Sequence, residues 1–123
     1  MIGILKYIFL AICIDTLKCF PSGTDSSQDF SQKCLEEFRK TSLEKHNEFR
    51  KKHNAPSLLR DSFIEESAQN YANELAITND LVYSENRDNI GENLFAKDSN
   101  GNLDEELTLD FCKLFAEECV NIW

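Results

Sequence analysis

At 123 residues the chain is long enough for one domain and no more. Its 22 acidic and 13 basic side chains leave a formal net charge of −9, a surface that repels phosphate backbones and argues against nucleic-acid binding. The charge is uneven: residues 20–60 hold eight basic and six acidic groups, whereas residues 61–123 hold three basic and fifteen acidic ones.

The chain opens with Met1-Ile2-Gly3-Ile4-Leu5-Lys6-Tyr7-Ile8-Phe9-Leu10-Ala11-Ile12-Cys13-Ile14, apolar but for one lysine, and Asp15 ends the run. That is well short of the ~20 apolar residues that span a bilayer. Residues 1–22 therefore read as a secretory signal peptide, cut in the region from Cys19 to Gly23, with an uncleaved anchor as the alternative. Residues 23–31, rich in serine and acid, read as a polar linker.

From about Gln32 to His53 the pattern turns helical, with Leu35, Phe38, Ser42, His46, Phe49 and His53 on one face. Asn54 and Ala55-Pro56 stop it, because proline disfavours helical geometry in the residue before it. Residues 57–59 form an extended connector. A second helix opens at Asp61 or Ser62, where Ser62 and Glu65 have capping-box spacing. Ile64, Ala68, Tyr71, Ala72 and Leu75 form its apolar face, and Thr78-Asn79-Asp80 ends it. Residues 81–96 are loop-rich, with Asn93-Leu94-Phe95-Ala96 the expected strand or short turn. Asn100-Gly101 is a turn, and a third helix runs from about Asp104 to the C-terminus.

Beyond the signal, the cysteines are Cys34, Cys112 and Cys119. Cys112 and Cys119 lie two helical turns apart, roughly 10 Å, too far for a mutual disulfide. Either can reach Cys34, which leaves the other as a free thiol. No Asn-x-Ser/Thr sequence occurs, so N-glycosylation is not expected.

Chemical motifs are sparse. His46 and His53 share a helix face but stand roughly 10 Å apart along it, so they cannot ligate one zinc ion; core packing or capping is the better reading. Glu118 falls among Leu107, Phe111, Leu114, Phe115 and Ile122 on the third helix. A carboxylate in that stripe must find a hydrogen-bond partner or take up a proton; the alternative is a frayed helix end at which Glu118 simply reaches water. There is no Gly-x-Ser-x-Gly, no His-Glu-x-x-His and no phosphate-cradling glycine loop.

Three blocks taken together carry a resemblance. They are His46-Asn47-Glu48-Phe49-Arg50-Lys51-Lys52-His53-Asn54-Ala55-Pro56-Ser57-Leu58, Ala68-Gln69-Asn70-Tyr71-Ala72-Asn73-Glu74-Leu75-Ala76 and Gly91-Glu92-Asn93-Leu94. In that order and spacing, across residues 35–123, the chain resembles the opening half of a CAP domain, in its venom-allergen-like branch. The resemblance implies an α+β fold: the N-terminal, mostly helical part of a three-layer α-β-α sandwich, with few strands. Residues 32–123 are then a partial domain, truncated before the family's later strands. Truncation implies incompletely covered apolar faces, and so apolar or disulfide-linked self-association.

The resemblance also implies a cavity lined by two histidines and two glutamates. Glu92 and Glu118 match the glutamates. Tyr83, in Leu81-Val82-Tyr83-Ser84, stands where the family's first histidine precedes a serine, and the second histidine would lie beyond Trp123. A phenol stays neutral near pH 7 and is a poor zinc ligand. The expectation is therefore cavity-lining Glu92, Glu118 and Tyr83 with no metal, no cofactor and no catalytic residue, Tyr83 donating its hydroxyl hydrogen to a carboxylate. The implied function is that of a secreted, non-enzymatic protein whose partner is an extracellular protein or a lipid or sterol ligand, touching membranes only through signal-peptide targeting. The alternatives are a truncated product with little autonomous activity and a metal-dependent cavity hydrolase.

Overall fold

A computed structural model describes residues 6–13, 25–78, 80–85, 90–97 and 108–123. Its elements run in the order β1 (Lys6–Cys13), α1 (Asp25–Lys52), α2 (Ser62–Thr78), β2 (Ile90–Lys97) and α3 (Leu109–Ile122).

No glycine or proline interrupts α1, and three basic residues, Arg50, Lys51 and Lys52, meet the negative end of its dipole. The helix ends in a Schellman motif. Asn54 adopts φ 53°, the Asn54 N–H bonds Lys51 O at 3.2 Å, and the Ala55 N–H reaches back to Arg50 O at 2.9 Å. Pro56 then keeps the chain extended. The connector is fastened to α1 by side chains: Asn47 donates Nδ2 to Leu58 O at 3.1 Å and accepts the Leu58 N–H at 2.7 Å, and Arg50 Nε donates to Pro56 O. Arg60 closes the corner, donating to Glu36 on α1 and to Glu65 on α2.

Helix α2 is capped by Asp61, whose Oδ1 accepts the N–H groups of Phe63 (3.0 Å) and Ile64 (3.2 Å). Its apolar face buries Ile64, Ala68, Ala72 and Leu75, and Leu94 of β2 packs on the Ala68–Ala72–Leu75 cluster. Helix α3 is capped by Thr108, whose hydroxyl accepts the Phe111 N–H at 3.1 Å. It lies along α1 in the same direction: Cys34 is bonded to Cys112, Phe38 meets Phe115 and His46 meets Trp123. Phe95 also meets Phe115, at 5.5 Å between ring centroids. Adjacent strand residues point to opposite faces. Leu94 and Phe95 therefore place α2 on one face of β2 and α3 on the other.

The sheet has two strands, β1 and β2, paired in parallel from Lys6↔Ile90 to Cys13↔Lys97. β1 lies within the segment that the sequence reading takes as a signal peptide.

Several expectations shift. Residues 25–31, read as linker, are the first turns of α1, since serine, aspartate and glutamine tolerate a helix once the following stripe anchors it. The cap of α2 is Asp61 rather than Ser62, and Arg60 holds Glu65 instead of leaving it to complete a capping box. Thr108 caps α3, so the helix begins later than the expected Asp104, and residues 104–107 lie outside the described ones. The buried stripe of α3 is Cys112, Phe115, Ala116, Cys119 and Val120, while Leu114 and Ile122 are exposed. The disulfide at Cys112 sets that rotation, which the apolar pattern alone placed along Leu114, Glu118 and Ile122.

Candidate functional site

Residues 80–85 follow α2 and turn back along it. The Asp80 N–H reaches Leu75 O at 3.4 Å, and the Tyr71 hydroxyl donates to Val82 O at 2.8 Å. The turn carries Ser84 to β2, where Glu92 waits. The Ser84 N–H bonds Glu92 Oε1 at 3.1 Å and Oε2 at 3.3 Å, and the Ser84 hydroxyl donates to Oε2. Both oxygens of this half-buried carboxylate thus engage a single serine.

Of the three cavity candidates, Glu92 is held by Ser84, Tyr83 is 55 % exposed beside it, and Glu118 is half-buried on the flank of the α3 stripe. Sequence reasoning did not single out Ser84. The signal that marks it is its place directly after Tyr83 in Leu81-Val82-Tyr83-Ser84. A serine hydroxyl aimed at a carboxylate, with a phenol next in sequence, lacks the imidazole that would take its proton and activate it as a nucleophile.

The histidines take other parts. His46 Nδ1 lies 2.8 Å from Ser42 O, and its ring packs 5.9 Å from that of Trp123. Burial holds its pKa below the ordinary 6.5, against the opposing pull of the Ser42 carbonyl and with a lesser contribution from Arg50. The Trp123 indole in turn donates to Leu94 O at 3.1 Å. His46 therefore belongs to the packing that joins α1, α3 and β2. His53 is exposed in the turn after α1.

The open question of the cysteines is resolved: Cys34 bonds Cys112, and Cys119 is a fully buried thiol outside that disulfide. On α1 the Ser42 hydroxyl is fully buried with no hydrogen-bond partner among the described residues.

Among the described residues no group of three His, Cys, Asp or Glu side chains is arranged to hold a metal ion. The donors at Glu92, a carboxylate engaged by serine and a neighbouring phenol, do not match the nitrogen- and sulfur-rich sets that zinc prefers. No described helix is long and apolar enough to cross a membrane. An open groove beside α1 is lined by Glu44, Asn47, Glu48, Lys51 and the turn after them.

The model of the CAP family, described as the cysteine-rich secretory protein family, matches residues 43–120. No curated protein and no solved structure matches the chain.

Proposed function

The chain belongs to the CAP family, and from that premise we propose that it is a secreted, non-enzymatic protein that works as an extracellular interaction module. The observation that carries this reading is the Ser84–Glu92 pairing, in which the carboxylate is tied down by a neighbouring serine and no imidazole completes a proton relay. Protein contact is favoured over lipid carriage by the surface. Large apolar side chains such as Leu59, Phe63 and Ile77 are strongly exposed, whereas the groove beside α1 is open to solvent, unlike the enclosed apolar sites that hold small apolar ligands.

The test is expression with the native N-terminus in a secretory eukaryotic cell. The mature protein should appear in the medium, its N-terminus between Cys19 and Gly23. Retention inside the cell would overturn the extracellular reading. Calorimetric titration of the purified protein with zinc should give no saturable heat, and saturation at micromolar zinc would return the cavity-hydrolase alternative.

A further inference from the structure

Strand β2 is held between two helices and along one edge. Leu94 packs on the Ala68–Ala72–Leu75 cluster of α2, and Phe95 meets Phe115 of α3, so each face is covered. The edge carries β1, paired in parallel from Lys6↔Ile90 to Cys13↔Lys97, and β1 also lies against α2. Among the described residues these two strands are the whole sheet. If β1 leaves with the signal segment, β2 keeps its place between the helices, but every second N–H and C=O along that edge loses its partner. Backbone groups left unpaired beside packed helices are costly, and an open strand edge is a template for another strand.

We propose that in the mature protein this edge of β2 accepts an extended apolar segment of an extracellular partner protein, which enters parallel to β2 as an added strand. The proposal rests on the secreted, interaction-module reading above and names the partner's chemistry. The structure itself describes the occupant, because in the full chain the edge is filled by Lys6-Tyr7-Ile8-Phe9-Leu10-Ala11-Ile12-Cys13. That segment has no charge after its lysine, no proline and no glycine, and it is rich in the aromatic and β-branched residues that favour strands. An added strand draws affinity from main-chain hydrogen bonds and selectivity from its alternate side chains. A proline at a ladder position would remove a donor, so proline-rich segments are poor occupants.

The experiment uses the mature protein recovered from the medium and a fluorescein-labelled peptide of residues 6–13, with Cys13→Ser and a lysine tail for solubility. Fluorescence anisotropy should show saturable binding. Two further peptides keep every side chain and differ only in which backbone nitrogens are methylated: those of Tyr7, Phe9 and Ala11, or those of Ile8, Leu10 and Ile12. A paired strand turns alternate N–H groups towards its neighbour. One of the two should therefore bind like the parent peptide, and the other should lose about tenfold or more in affinity. Equal binding of both would mean apolar adsorption, equal loss would mean that no single edge is engaged, and each overturns the proposal. Direction is read by a disulfide trap. The Ala96→Cys protein should capture the peptide carrying Ile12→Cys, its parallel partner, and not the one carrying Tyr7→Cys; the reverse would overturn parallel entry. Circular dichroism and an intact Cys34–Cys112 bond check that each protein is folded. Sedimentation showing a mature dimer that the peptide dissociates would overturn the partner and assign the edge to a second copy of the chain. A secreted, folded protein that ignores the parent peptide refutes the strand site and leaves the interaction-module reading standing; absence from the medium refutes that reading and removes the premise of both.

Discussion

Ser42 and His46 show how a single position in the α1–α3 contact can cost stability. The Ser42 hydroxyl is fully buried and unpaired among the described residues, and an unmet polar group carries its desolvation penalty without return. Ser42→Ala should therefore be neutral or stabilising, by up to about 2 kcal/mol; a fall in the urea midpoint would contradict it. His46 titrates below its usual value because burial disfavours the charged ring. In the window between its folded pKa and 6.5 the unfolded chain binds more protons, so stability rises with pH there and is lost on acidification. Denaturation at about pH 7.5 should need more urea than at about pH 5.5, and His46→Gln should flatten that difference. Glu36 and Glu48 act lower on the scale. Arg60 holds the first below the usual carboxylate range and Lys52 with Lys45 holds the second, so what they contribute is present above 4.5 and lost beneath it.

Elements are decided at their ends. Asn54 at φ 53° pays the left-handed penalty that glycine avoids, and the Schellman bonds to Arg50 and Lys51 depend on that geometry. Asn54→Gly should be neutral or stabilising, whereas Asn54→Val should cost about 1–2 kcal/mol, both read from thermal midpoints at one pH. The order of effect, glycine above asparagine above valine, is the discriminating result, since helix propensity alone would put glycine last. The stop itself was legible in Asn54 and Pro56. So was the strand around Leu94, although its extension back to Ile90 followed from pairing with β1.

For the molecule as a whole, the Cys34–Cys112 disulfide is the covalent tie between α1 and α3. It closes a separation of 78 residues, for which loop-closure entropy gives about 4–5 kcal/mol. Reduction by a phosphine should lower the urea midpoint markedly and make Cys119, now fully buried, open to alkylation. Peptide mapping by mass spectrometry should find Cys119 labelled under denaturant before reduction, and unlabelled without denaturant in the intact fold. Brisk labelling of Cys119 with the disulfide intact would show that α3 is not held against α1 as described.

The sequence by itself determined the three helices, their order, the stop at Pro56 and the family, because periodicity, capping chemistry and motif spacing are local properties written in neighbouring residues. It also limited the disulfide to two pairings. Tertiary structure decided which pairing forms, how α3 is rotated about its axis, and that Ser84 takes the carboxylate of Glu92. Those outcomes depend on side chains far apart in the chain meeting across helix and strand faces. A repeat of three or four residues states which face is apolar, but not which neighbour will cover it.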